Sequence, residues 1–269
     1  MKIASDTTRI TDETEAVLLN HVLLSVGDVL RSLHRRGYLK SMLQKAADDR
    51  IILTHAQTLG FAPTDGQLQQ AADEFRRRVG LLSVEQTQKW LTAKHHSELD
   101  FEEIVLREMR YRLVFSHVTE AAERDFQSAS SLWDRMSYRE FTVGSESLAE
   151  ELKCQCMEEG VLFADLTAQH TGGDSSDSTP EIRKCFRNLL PNWTMSALPT
   201  AVSGSLVGPL ACPSGWALIF VEAVTPAVFD QETESAIRKH LFQQWLSARI
   251  RESTISYPLL DLLSCQNAS

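Results

Sequence analysis

The stretch Gly204-Ser205-Leu206-Val207-Gly208-Pro209-Leu210-Ala211-Cys212-Pro213-Ser214-Gly215-Trp216-Ala217-Leu218-Ile219-Phe220-Val221 decides the fold. Leu206 to Ala211 and Trp216 to Val224 are short apolar runs of strand length. Between them Cys212-Pro213-Ser214-Gly215 carries proline and glycine where a hairpin turn uses them. A strand, a turn and a strand are therefore expected, late in a chain that otherwise reads as helix.

Working backward, Arg139 to Val143 alternates as a strand does, and Ser145 to Glu158 has helical spacing. A Gly/Ser/Asp-rich stretch from Thr171 to Pro180 reads as a loop, followed by short helical pieces at Glu181 to Leu190 and Thr194 to Leu198. Working forward, Glu232 to Glu252 places Ile237, Leu241, Trp245, Leu246 and Ile250 on one helical face. That stripe stays naked unless the helix packs back on the first half of the chain.

The first half reads as five consecutive amphipathic helices. Glu15 to Leu33 carries apolar residues from Val17 to Leu33 at the 3.6-residue period, and Tyr38 to Leu59 follows, stopped by Gly60. Thr64 with Gln67, Ser83 with Gln86, and Asp100 with Glu103 have capping-box spacing ahead of three more helices. Phe75, Trp90, Phe101 and Phe115 recur within them. Core packing is the default role for each, and lining of a client groove is the functional one.

The 269 residues are 43% hydrophobic and 23% charged, which excludes a disordered chain and favours two domains. A formal net charge of -9 opposes a phosphate-tracking surface, so no nucleic-acid partner is expected. The apolar stretches fall short of the roughly 20 residues that span a bilayer, so no membrane insertion is expected. Met1 to Thr14 lacks the pattern of a secretory signal, and the odd, scattered cysteines (154, 156, 185, 212 and 265) fit a reducing compartment. The expectation is a cytoplasmic protein. No Cys/His pairs at zinc-ligand spacing, no H-E-x-x-H, no G-x-S-x-G, no dinucleotide-binding glycine fingerprint and no P-loop occur, so no metal and no cofactor are expected. Asp174, Ser175, Ser176 and Asp177 are oxygen-rich, but a solvated loop explains them more simply than a cation site.

The order of elements resembles the SurA/parvulin (PpiC-type) peptidyl-prolyl isomerases, in which a helical chaperone domain precedes a parvulin domain. In the first half, Ala56-x-x-x-Gly60-x-x-Pro63-Thr64, Phe75, Gly80-Leu81 and Trp90-Leu91 carry the likeness. In the second, the stretch quoted first is similar to the family ending G-x-h-x-G-P-h-x-T-x-x-G-h-H-h-h, with Gly172-Gly173 a weaker echo. The resemblance implies an α+β chain: an all-α N-terminal chaperone-like domain at 1–136, a small parvulin-like βαββ domain at 137–226, and a C-terminal helix and tail at 227–269 returning to the helical domain.

It also implies a site. The family's first strand bears a histidine where this chain has Glu140, and its last strand bears another where this chain has Ala217. Ser214, Glu140 and Asp174 are the candidate catalytic residues, and Leu190, Trp193, Met195, Phe141 and Trp216 the candidate substrate-binding ones. Taken without the resemblance, Trp193 and Met195 are ordinary core residues and Glu140 is a solvent-facing position of a half-exposed sheet. An apolar seat without its histidines still binds proline-containing chain but stabilises a twisted imide less. The implied function is binding of unfolded or extended polypeptide as a chaperone, with isomerase activity weak or lost. Two alternatives stand beside it: a working isomerase, and a non-catalytic docking module of a peptide export or maturation system.

Overall fold

The computed structural model describes residues 10–170 and 181–265, and the chain divides into two compact units. The first is built from residues before Glu120 and after His240; the second runs from Glu120 to His240.

The first unit does not begin with a helix. Strands β1 (Glu15–Leu19) and β2 (Val22–Ser25) form an antiparallel hairpin, and α1 (Val26–Arg35) follows. The expected helix over Glu15 to Leu33 is thus corrected, and with it the all-α character of this part. Asn20 and His21 take left-handed backbone, φ 47° and 68°, the conformation of a two-residue hairpin turn. The Ser25 hydroxyl then accepts the Asp28 N–H while the Asp28 carboxylate accepts the Ser25 N–H, and this capping box starts the helix at Val26.

Helices α2 (Tyr38–Thr58), α3 (Asp65–Arg78), α4 (Val84–Lys94) and α5 (Glu98–Val118) follow. Thr64/Gln67 and Ser83/Gln86 form the expected capping boxes. The box of α5 is Ser97/Asp100, so this helix begins a turn earlier than Asp100/Glu103 suggests. Ala72, Leu91, Phe101 and Val105 make one buried cluster, where Phe75, Trp90 and Phe101 meet edge to face at 5.5–6.3 Å.

In the second unit α6 (Ala122–Ser128) precedes β3 (Arg135–Val143), α7 (Glu146–Glu158), α8 (Phe163–His170), β4 (Arg183–Phe186), β5 (Leu206–Cys212) and β6 (Gly215–Thr225). The sheet is antiparallel throughout, in the order β4-β3-β6-β5. Among the described residues it has four strands, not the three of a βαββ unit. Arg183–Phe186, read from its spacing as helix, pairs instead with Arg135 to Tyr138, the part of β3 that extends ahead of the expected strand. Tertiary pairing along an open strand edge overrides local periodicity here. Two glycines of the quoted stretch are required by close approach. At Gly208, φ 125°, an added Cβ would lie 2.5 Å from the Ala217 carbonyl oxygen, and at Gly215, φ 137°, 2.3 Å from that of Val143.

Helices α9 (Gln231–Glu252) and α10 (Pro258–Cys265) follow. The later part of α9 packs as expected: Phe242, Trp245 and Leu246 join Ile52, Ala56 and Val114 in a core cluster of the first unit.

Candidate functional site

Strand alternation gives the sheet of the second unit two different faces. On one, Phe141, Val143 and Leu218 pack with Ala149 and Leu152 of α7 and Phe163 and Leu166 of α8. On the other, Met136, Tyr138, Ile219 and Val221 pack with Leu190, Leu198 and Ala201 from the segment between β4 and β5.

Glu140 lies opposite Ile219, and Thr142 opposite Ala217, so all four belong to the second face. Glu140 is not the solvent-facing residue its strand position suggests. Its side chain is only 12% exposed, with Oε2 2.8 Å from Arg183 Nη1 of β4, the strand that covers this edge. The pair is ionic without an aligned hydrogen bond, since the buried Oε2 has no hydrogen-bond partner. Ala217 is fully buried and brings no polar group. Burial, with Cys185 and Glu140 nearby, pushes the Tyr138 phenol above its ordinary pKa.

At the hairpin end of this face Thr142 Oγ1 lies 4.0 Å from Cys212 Sγ, which lies 3.5 Å from Ser214 Oγ. Ser214 therefore connects to the face through Cys212. Thr142 and Cys212 were not singled out from sequence, although both were legible. Thr142 is two residues beyond Glu140, and the family ending, laid on this chain by its glycines, puts its threonine at Cys212 rather than Ser214.

Leu190 is buried and Trp193 half-buried in the cluster on the same face. Their segment is pinned from within. The Arg187 guanidinium donates to the Leu198 and Pro199 carbonyls and lies 3.5 Å from the Asp134 carboxylate, which also accepts the Ala227 N–H. The Thr194 hydroxyl donates to the Pro191 carbonyl at 2.7 Å. Met195 is 48% exposed and outside that cluster. Phe141 and Trp216 correct the expected pocket: both lie on the opposite face, with α7 and α8, because each is one residue out of phase with Glu140 and Ala217. Asp174, with Gly172, Gly173, Ser175, Ser176 and Asp177, lies outside the described residues.

A groove of about 820 Å³ in the first unit is a second candidate. Leu68, Leu81, Leu91 and Phe101 line it together with Asp65, Glu98, Glu102 and Arg76, and Leu82 and Val84 at its wall are 76% and 81% exposed. Of the four recurring aromatics, Phe101 reaches this groove while also serving the core. Among the described residues, no group of three or more His, Cys, Asp or Glu is placed to hold a metal ion, and no helix is long and apolar enough to cross a membrane.

A peptidylprolyl isomerase, PrsA, from Bacillus anthracis superposes with a TM-score of 0.52 at 16% identity, over 80% of this chain and 99% of its own. This chain has the PrsA fold. PrsA from Bacillus cereus aligns over 92% of this chain and 95% of its own at 16% identity, with a TM-score of 0.46. One Campylobacter jejuni protein, from a pair described as SurA-like chaperones, aligns over 90% and 98% at 14% identity, with a TM-score of 0.32. No protein-family model and no curated protein matches the sequence.

For prolyl isomerisation, the chemistry that the sequence resemblance implies, the chemical demand is small. Rotation about an X-Pro bond requires loss of amide resonance, and a site accelerates it by binding the twisted amide better than either planar form. Half-buried Trp193 supplies apolar surface, while Leu190 is buried in the core beneath this face. The two positions that bear histidines in the parvulin pattern supply an ion-paired carboxylate and a methyl group.

Proposed function

We propose that the chain is a foldase-type chaperone that binds unfolded or extended, proline-containing polypeptide, and that its parvulin-like unit has weak or lost isomerase activity. One observation carries the reading: the sheet face keeps its apolar partners Leu190 and Trp193, while Glu140 is held by Arg183 and Ala217 is buried without a polar group. Binding then survives where stabilisation of the twisted imide does not. The groove of the first unit supports the chaperone role, because its apolar lining with three carboxylates against the one arginine, Arg76, suits polypeptide segments that mix aliphatic and basic residues.

The test is suppression of aggregation of a reduced or heat-unfolded protein by the full chain. The proposal expects suppression at near-stoichiometric ratios. Failure to suppress, with tight binding to a single partner, is the result that favours a docking module of a peptide export or maturation system. A second reading, a working isomerase, draws on the Thr142, Cys212 and Ser214 cluster, the polar side chains at the hairpin end of this face. Protease-coupled turnover of a proline tetrapeptide that is lost in Cys212→Ala establishes that reading instead. We place the protein in the cytoplasm, a reading supported by free thiols at Cys154, Cys156, Cys185 and Cys212 and checked by cell fractionation.

A further inference from the structure

Three helices, α3, α4 and α5, wall the groove of the first unit. Its floor is apolar, with Ala72, Leu91, Phe101 and Val105 in one buried cluster, and the exposed Leu82 and Val84 carry that surface outward. Along α3 the lining runs from Asp65 to Arg76, about 16 Å or three turns at the helical rise. A volume of about 820 Å³ holds one short segment rather than a folded domain.

The charge of the lining is one-sided. Asp65, Glu98 and Glu102 are exposed and have no ion-pair partner among the described residues. The lining cation, Arg76, is already held by Asp73 at 2.8 Å and lies over the Phe101 ring. Glu98 and Glu102 are one turn apart on α5 and so form a single acidic stripe.

Hydrogen-bond donors are scarcer. The lining Gln69 amide and Thr87 hydroxyl are spent on the Asp73 carboxylate and the Ser83 carbonyl, and the first turns of α3, α4 and α5 are capped by Thr64, Ser83 and Ser97. The lining residues belong to helices or to the turn between α3 and α4, so they offer no strand edge. An extended segment lying here finds few donors for its carbonyl oxygens. A helical segment brings its main chain already paired and needs only an apolar seat.

We propose, resting on the chaperone reading, that this groove captures client segments as amphipathic helices of about three turns, with aliphatic residues on one face and Lys or Arg beside it to meet Asp65, Glu98 and Glu102. Isolated helices below roughly 12–15 residues are marginal in water, so the groove orders such a segment as it binds. A second copy of this chain is the poorer occupant, because its net charge of -9 repels the acidic stripe.

The test is titration of the full chain with three peptides of about 15 residues. One has leucines at helical spacing with lysines beside them, one has glutamates in place of the lysines, and one is the lysine peptide broken by a central proline. The lysine helix binds with a gain of helical circular dichroism and weakens as salt rises. The other two bind about tenfold more weakly. Glu98→Gln with Glu102→Gln lowers lysine-helix affinity by roughly fivefold and flattens its salt dependence. Leu82→Ser with Val84→Ser, at exposed positions, lowers it by roughly tenfold with unchanged thermal melting.

Equal binding of the proline and lysine peptides, or of the glutamate and lysine helices, overturns the proposal. So does lysine-helix binding that either variant leaves unchanged, or a concentration-dependent dimer lost in the Leu82→Ser, Val84→Ser chain, which gives the groove to a second copy. Suppressed aggregation with no preference among the peptides removes the helical occupant and leaves the chaperone reading. Unsuppressed aggregation with the lysine helix still preferred keeps the occupant and removes that reading.

Discussion

The two faces of the four-stranded sheet are made by the same strands and differ in what covers them. The face under α7 and α8 is closed by aliphatic and aromatic side chains: Phe141, Val143, Leu152, Phe163, Leu166 and Leu218. The other is covered by short turns between Arg187 and Thr200, and mixes Leu190 and Trp193 with Glu140, Thr142 and Cys212. The first face is regular packing. The second spends a buried arginine, Arg187, on holding irregular chain over a sheet, and such a cover presents side chains to a ligand.

Mutations on the two faces therefore separate stability from binding. The largest effect belongs to the helix-backed face. Leu152→Ala removes a fully buried side chain and costs about 3 kcal/mol. Thermal unfolding reads this as a lower melting point of the second unit. Next is Asp134→Ala, which leaves the Arg187 guanidinium buried without its carboxylate and takes an acceptor from the Ala227 N–H, at about 2 kcal/mol. It also loosens the segment bearing Leu190 and Trp193, so peptide affinity falls with stability, whereas Leu152→Ala lowers stability alone at temperatures where the unit is folded. An equal loss of affinity in both variants would erase the distinction between the faces.

A pH titration sharpens the comparison. Burial of Tyr138 holds its phenol neutral above the ordinary tyrosine pKa. The unfolded chain then ionises first, so this contribution to stability is complete below the ordinary tyrosine value and is lost as pH rises through it toward the raised folded one. Tyr138→Phe flattens that alkaline decline, as measured by denaturant midpoints against pH. The smallest effect is that of Glu140→Gln. Arg183 is 57% exposed, so the ion pair is worth under about 1 kcal/mol, and stability and peptide binding both change little.

Much of this was legible in the sequence, for physical reasons that can be named. The Gly208-Pro209 and Pro213-Ser214-Gly215 signals fix a hairpin because both glycines sit where a Cβ would strike a carbonyl oxygen. Capping boxes at Thr64 and Ser83 mark helix starts because their hydrogen bonds are local. The ribbon at Glu15 to Ser25 was missed because apolar runs on either side of Asn20-His21 satisfy helical and strand periods alike, and only the left-handed turn decides between them. β4 was missed because its pairing with β3 is long-range. The site divides the same way. Glu140 and Ala217 were placed by pattern, but Phe141 and Trp216 fell on the wrong face by a single residue of register, and Arg183, the partner that neutralises Glu140, comes from the strand that was not anticipated.

The central claim is that binding outlives catalysis on the Glu140 face. Exchange spectroscopy of a proline-containing peptide with the full chain reads both at once, from the peptide's shift changes and from its cis–trans exchange rate. The account predicts saturable shift changes, lost in a Trp193→Ala chain, with an exchange rate close to that of free peptide. Exchange accelerated to the level of an active isomerase would contradict it.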